Sequence, residues 1–375
     1  MKKGLFFAVF LLSVWNLKSN AQSWIKCDKG IESDGIRAFA SYNGDLFVGG
    51  TGLSKDGSSL MRLVNNKWLS EKVSFDNSIL TMAVYNNKLF VGGNFDTVDG
   101  KPINLIACWD GKEWESLKEK ITGGAVRALF VYNNELYIGG AFDSVGGKAV
   151  SNVVKWNGND FETTSNDIKG QVYCFAEYKG SIYAGGQFMA VGNYITRNSV
   201  VKWEGNKWIP VKDTSNNRVL YTVNAMEVYD NLLYLGGLFS NNDCLLAWNG
   251  SKYDSITNGL KDIYSSQAEK IHIHNPLIAV LTWTTEAFAL YTYENNLFVG
   301  SSCAVSDGYK YPSCIAKIDS GKWVSVNYNL KCCTDEETTP FEDIKAFIVY
   351  NGVLYAGGRF NIGGKLSLIA KFQKE

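Results

Sequence analysis

The chain has 375 residues with 37 basic and 37 acidic side chains, a formal charge of zero. That balance offers no basic, phosphate-neutralising surface, so no nucleic acid is expected as a partner. Aromatics at 14%, 37 glycines and only five prolines favour an all-β chain with many turns over a helical one.

Residues 1–21 read as a secretory signal peptide. Lys2 and Lys3 open it, an apolar run follows from Gly4 to Trp15, and Ser19-Asn20-Ala21 supplies a small-x-small cleavage site. The run is shorter than the ~20 residues a membrane span needs, so no transmembrane segment is expected. Cleavage near Ala21 removes three lysines and no acid, leaving 34 basic against 37 acidic residues. The expected location is secreted or periplasmic, where the eight cysteines are free to form disulfides. Residues 22–375 are expected to form a single domain.

A short unit then recurs along the chain. It reads LFVGG at Leu46 and Leu89, LYIGG at Leu136, IYAGG at Ile182, LYLGG at Leu233, LFVGS at Leu297 and LYAGG at Leu354. The first glycines fall at Gly49, Gly92, Gly139, Gly185, Gly236, Gly300 and Gly357, spaced 43 to 64 residues apart. Self-similarity at such a period marks a repeat architecture. Each copy begins with an apolar strand ending in Tyr. A two-residue turn follows, namely Asn43-Gly44, Asn86-Asn87, Asn133-Asn134, Lys179-Gly180, Asp230-Asn231, Asn295-Asn296 or Asn351-Gly352. Asn and Gly tolerate the positive φ that tight hairpins require. The second strand ends at the glycine pair, a third ends in Trp, as in Asn152 to Trp156, and a fourth opens with an aromatic such as Trp68, Trp114 or Trp208. Four antiparallel strands repeated seven times predict an all-β, seven-bladed β-propeller.

Two stretches break the period: an insertion at 261–286 and a long polar connector at 331–343. The chain ends also fit together. Leu368 to Phe372 reads as a third strand and Ser23-Trp24-Ile25 as a fourth, so the N-terminal strand is expected to join the C-terminal blade and close the ring.

The unit resembles kelch repeats and the central propeller of galactose oxidase, which share the Gly-Gly after strand two and a Trp in strand four. Its short form, VYNNxLYxGGxFxxVGG…VVKWxGxxW, is still more similar to repeats of fungal cortical polarity-marker ectodomains and of uncharacterised secreted bacterial propeller proteins. The resemblance covers residues 23–372 and implies a fold; it implies no activity, because propellers host unrelated functions.

The glycine pair is therefore a backbone device, not a phosphate loop, which would occur once and precede a helix. Function is expected on the face of the long loops between strands two and three and between blades. The first strands reach that face with Arg37, Leu80, Arg127, Tyr173, Asn224, Phe288 and Lys345, five positions before the repeat Tyr. Two positions further on the residue is always large and apolar. Three cations at this rim suggest an anionic group on the ligand. The binding candidates are Arg37, Arg127, Tyr173, Asn224 and Lys345, joined by Tyr194 and Tyr309 in the upper loops.

Other chemistry is thin. His272 and His274 are the only histidines, which leaves no galactose-oxidase-like copper set and no Ser-His-Asp triad with a nucleophile motif. No cysteine set has zinc spacing, and neither metal nor cofactor is expected. Cys303 and Cys314 flank one hairpin and are the first disulfide candidates; Cys332 and Cys333 in the polar connector are the next. Cys174 occupies a small core position, and Cys27, Cys108 and Cys244 read as single thiols. Trp109, Trp156, Trp203 and Trp248 share one repeat position and read as packing. The function expected is a platform that binds an extracellular or cell-surface protein or glycan. A carbohydrate-active lyase or glycoside hydrolase using rim residues, and a structural part of an envelope assembly, are the alternatives.

Overall fold

A computed structural model describes residues 22–256 and 286–374, apart from short segments at 34, 165–167, 196–198, 215–218, 241–242, 306–312, 320–321, 327–329, 332–342 and 363–364. The signal segment, His272, His274, Tyr309, Cys332 and Cys333 lie outside the described residues, as does nearly all of the 261–286 insertion.

Among the described residues the chain is all-β, and seven of its sheets hold four or more antiparallel strands. The first sheet runs Ile36–Tyr42, Asp45–Gly50, Leu60–Val64 and Lys67–Ser70, each strand bonded to the next in chain order. The following sheets open with Ile79–Tyr85, Val126–Tyr132, Ile168–Tyr178, Leu220–Tyr229, Ala287–Tyr293 and Asp343–Tyr350. The second strands, such as Glu135–Gly140, are buried from their second residue to the glycine pair. They read as continuous apolar runs because they are covered on both faces, whereas a half-exposed strand would alternate.

The glycine pair has two separate causes. A Cβ on Gly139 would stand 2.7 Å from Val172 Cγ1 and 2.8 Å from Phe175 Cζ, both on the first strand of the next sheet. The same approach brings Ile79 onto Gly49, Val126 onto Gly92, Val223 onto Gly185, Ala287 onto Gly236, Ile344 onto Gly300, and Phe39 with Ile36 onto Gly357. A Cβ on the second glycine, Gly140, would overlap the carbonyl oxygen of Ala125, the residue just before its own sheet's first strand. There the first strand carries a bulge: Val126 pairs with Gly140 and Ala128 with Gly139, leaving Arg127 as the extra residue. Sheet six keeps the bulge with Ser301 in the second place.

A second series of contacts acts at the opposite end of the first strands. The Tyr42 hydroxyl donates to Asn87 O at 3.1 Å, Tyr85 to Asn134 O at 3.0 Å, and Tyr132 to Gly180 O at 3.0 Å. Tyr178, Tyr229 and Tyr293 donate in turn to Asn231 O, Asn295 O and Gly352 O. Tyr350 donates to Gly44 O of the first sheet at 2.7 Å. Each acceptor lies in the hairpin turn of the following sheet. These turns have positive φ at both central residues, as at Asn133 (48°) and Asn134 (61°). The sixth turn is Glu294-Asn295, not Asn295-Asn296, because the turn directly follows Tyr293 as in every other sheet; Glu294 takes φ 47° there.

The N-terminal strand pairs with the C-terminal one, as expected. Gln22–Lys26 pairs antiparallel with Lys365–Lys374, and Trp24 is buried against Phe372 with ring centroids 5.2 Å apart. Past Lys26 the chain leaves the strand, and buried Asp28 accepts the Leu368 N–H at 2.8 Å. The loops between second and third strands hold small hairpins that periodicity did not reveal, Thr97–Val98 with Lys101–Pro102 and Ser144–Val145 with Lys148–Ala149.

These two kinds of glycine separate in stability. Gly140→Ala sets a Cβ against a fixed backbone carbonyl and is expected to cost about 3 kcal/mol, the upper part of the overpacking range. Gly147 has φ 78° with nothing near its Cβ position, so Gly147→Ala should cost about 1 kcal/mol of left-handed strain. Urea unfolding midpoints of the two variants test this order.

Candidate functional site

The bulge residues are the rim residues. In each sheet the register skips one position of the first strand: Arg37, Leu80, Arg127, Tyr173, Asn224, Phe288 and Lys345. A bulge re-aims the extra side chain away from the sheet faces. All seven line one cavity of about 630 Å³. Two residues further along, Phe39, Met82, Phe175, Met226 and Leu290 are buried, so core packing stops where the cavity begins.

The cavity is lopsided in charge. Arg37 and Arg127 are exposed and have no carboxylate partner among the described residues. Arg127 stands with its guanidinium carbon 5.6 Å from the Tyr173 ring centroid, a cation–π arrangement. Lys345 differs from the two arginines. Its ammonium lies 2.8 Å from Asp343 Oδ2 and over the Phe288 ring. Burial pushes its pKa below the usual lysine value, and the pull of Asp343 opposes that shift. Of the three rim cations, Arg37 and Arg127 have no carboxylate partner among the described residues, and Lys345 is paired with Asp343.

The remaining wall is polar and aromatic. The Asn224 amide donates to Glu286 Oε1 at 2.9 Å and to Ala287 O at 3.2 Å. The Tyr173 hydroxyl lies 3.2 Å from Gln171 Oε1 and 3.3 Å from Gln187 Oε1. Burial raises the Tyr173 phenol, with Arg127 pulling it down and Glu286 pushing it up. Thr51, Ser78, Asn94, Gln187 and Thr222 complete the rim. Sequence reasoning missed these five, along with Asp343 and Glu286, because the places they hold, one after a glycine pair or two before a bulge residue, are constant while the residue type there changes from repeat to repeat. A search for polar residues one or two places after each glycine pair would have found Thr51, Asn94 and Gln187.

Of the other candidates, Tyr194, Cys303 and Cys314 are described by their backbone alone. Tyr194 lies on the short strand Tyr194–Ile195, paired with the end of Ser181–Val191; its side chain is outside the described residues. Cys303 and Cys314 lie on the paired strands Asn296–Val305 and Ser313–Asp319, and their side chains are likewise outside. Cys27, Cys108, Cys174 and Cys244 are free thiols. Burial pushes Cys27 and Cys244 to about 12 and Cys108 to about 11, far from the thiolate that makes a cysteine reactive.

The geometry gives a pH-dependent test. Removing the Arg127 charge removes the influence that holds the Tyr173 phenol down, so Arg127→Gln should move its ionisation to higher pH. NMR of ¹³Cζ-labelled tyrosine, assigned with Tyr173→Phe, reads that shift; an unchanged titration would mean the two groups do not meet in solution.

No curated protein sequence matches the chain. Among solved structures it is similar to the extracellular domain of the hybrid two-component system BT4673 of B. thetaiotaomicron, with a TM-score of 0.54, 12% identity, and coverage of 93% of this chain and 39% of that one. The chain thus spans about two-fifths of that structure's length, and at this identity the likeness concerns fold alone. The computationally designed Ika8 protein matches with a TM-score of 0.48 and 12% identity, over 92% of this chain and 89% of its own. No helix among the described residues is long and apolar enough to cross a membrane. The model of the Rax2 C-terminal beta propeller domain matches residues 64–255, from the third strand of the first sheet to the last strand of the fifth. With the match covering just over half of a chain built from four-stranded antiparallel sheets, the protein belongs to the Rax2 C-terminal β-propeller domain family.

Proposed function

We propose that the chain is an exported, seven-bladed propeller that binds an anionic group of an extracellular or cell-surface protein or glycan in the cup lined by its seven bulge residues. The observation that carries this reading is the convergence of those residues on one cavity, with Arg37 and Arg127 lacking a carboxylate partner among the described residues. A guanidinium presents a planar fork of donors suited to carboxylate, sulfate or phosphate.

Ring closure is part of the proposal. Its support is cyclic: Tyr350 reaches the first sheet's turn, Phe39 packs on Gly357, and Gln22–Lys26 completes the last sheet. Export rests on the leader-like composition of residues 1–21.

Catalysis by the same cup has weaker support. Its two carboxylates are engaged, Asp343 with Lys345 and Glu286 with Asn224. Tyr173 is held above its ordinary pKa, which disfavours the phenolate a lyase would use as a base.

The test exposes residues 22–375 to immobilised extracellular glycans and surface-protein extracts, with released products read by mass spectrometry in the same wells. Retention without new products is expected, falling at least tenfold in Arg37→Ala/Arg127→Ala, since each lost charge-assisted bond contributes about 1.5–3 kcal/mol. Product release would replace binding by catalysis, and retention unchanged in the double variant would remove the cup from the function.

A further inference from the structure

We propose that the groove between the first and second sheets is a second, separate binding site, for a short neutral oligosaccharide. The groove has a volume of about 400 Å³ and is lined by residues of both sheets. That lies within the range of small-molecule sites, roughly 300–1,000 Å³.

Its floor is the Trp109–Trp114 pair, with ring centroids 5.4 Å apart and planes tilted by 40°. The same cross-strand position holds an aromatic in the first, third, fourth, fifth and last sheets, where packing covers at least one member. Trp68 is 1% exposed, Trp156 7%, Trp208 0% and Trp248 4%, and Trp24 in the last sheet is 3%. In the second sheet both members are only half-buried. The difference has a local cause. Over the first sheet, the segment after the N-terminal strand covers Trp68, whose Nε1 donates to Cys27 O at 2.8 Å. Trp114 instead meets the edge of Phe75, at 5.3 Å and 85°, besides Trp109, and neither Trp109 nor Trp114 has an N–H partner among the described residues. Two half-buried indoles therefore line the groove, with N–H donors that no described residue takes up.

The rim supplies the rest of a sugar's needs. Lys72, Lys101 and Lys112 stand with Glu71, Asp99 and Glu113 around the groove. Three positive and three negative groups balance, which favours a neutral ligand over the anion suited to the cup. Glu71 is tied to Arg62 at 2.7 Å, and Asp99 accepts the Ser74 N–H through one oxygen only. Lys112 and Glu113 each donate a backbone N–H to Asp110, at 2.7 and 2.9 Å, and the side chains of Glu113 and the three lysines make no hydrogen bond or ion pair among the described residues, so donors and acceptors flank an aromatic floor. A pyranose ring presents apolar C–H faces edged by hydroxyls that both donate and accept, and that pattern is complementary to this arrangement.

Saturation-transfer NMR of residues 22–375 with cellotetraose, laminaritetraose, chitotetraose and mannotetraose is the test. At least one should give saturable transfer to ring protons. Trp109→Leu should abolish it, and the exposed-rim variant Lys101→Ala/Glu113→Ala should weaken it about fivefold or more without changing the melting temperature. Arg37→Ala/Arg127→Ala should leave it intact, which separates this site from the cup. Silence with all four sugars, indifference to the rim variant, or equal loss in the cup variant would each overturn the proposal.

Discussion

The structure depends on one close approach: the first strand of each sheet lying directly on the first glycine of the preceding sheet. Val172 on Gly139 and Ile344 on Gly300 leave no room for a Cβ. Without that approach the large residue two places past the bulge, Phe175 or Leu290, would lose its seat. Interiors packed at crystal-like density respond to a single added methyl by shifting. Since every sheet is held to its neighbour by the same contact, a shift at one junction would be passed to the others. The tyrosine hydroxyls fix the far end of each junction, so each sheet is held at two points and its inclination to the next is set.

The second glycine links this packing to the site. It admits the Ala125 carbonyl, which lets the first strand bulge, and the bulge turns Arg127 toward the cavity. The extra residue takes no place in the ladder and none in the inter-sheet seam. Its identity is therefore free of the packing demands that make its neighbours uniform. That freedom explains why seven equivalent positions hold Arg, Leu, Arg, Tyr, Asn, Phe and Lys, while the residues beside them stay small or apolar.

This is also why so much was legible in the sequence. A contact repeated in every sheet leaves a repeated residue, so the glycine pairs, the tyrosines and the turn asparagines showed the architecture, and the one variable place among them showed the rim. What stayed hidden depends on particular neighbours. Asp343 neutralises Lys345 from within the same strand, two residues away, yet nothing in the spacing says that the ammonium also settles over the Phe288 ring. Glu286 sits at the end of an insertion with no counterpart in other repeats. The openness of Trp109 and Trp114 is invisible in a motif they share with buried tryptophans, because it is decided by whether a connecting segment crosses above them. The turn at Glu294-Asn295 was misplaced by one residue because asparagine content outweighed the stronger rule that the turn follows the tyrosine.

The charge arrangement bears on what kind of chemistry the cup can support. Proton transfer needs a group whose pKa lies near the working pH and whose lone pair or proton is free. Here the carboxylates already accept hydrogen bonds or ion pairs, and the phenol is raised away from neutrality. The unengaged groups are the two arginines, which stay charged at any physiological pH and cannot act as bases. An arrangement that commits its titratable groups to internal partners and leaves permanent cations exposed can hold a negative charge across a wide pH range without moving a proton. That physical asymmetry, more than the shape of the cavity, is what aligns the cup with recognition.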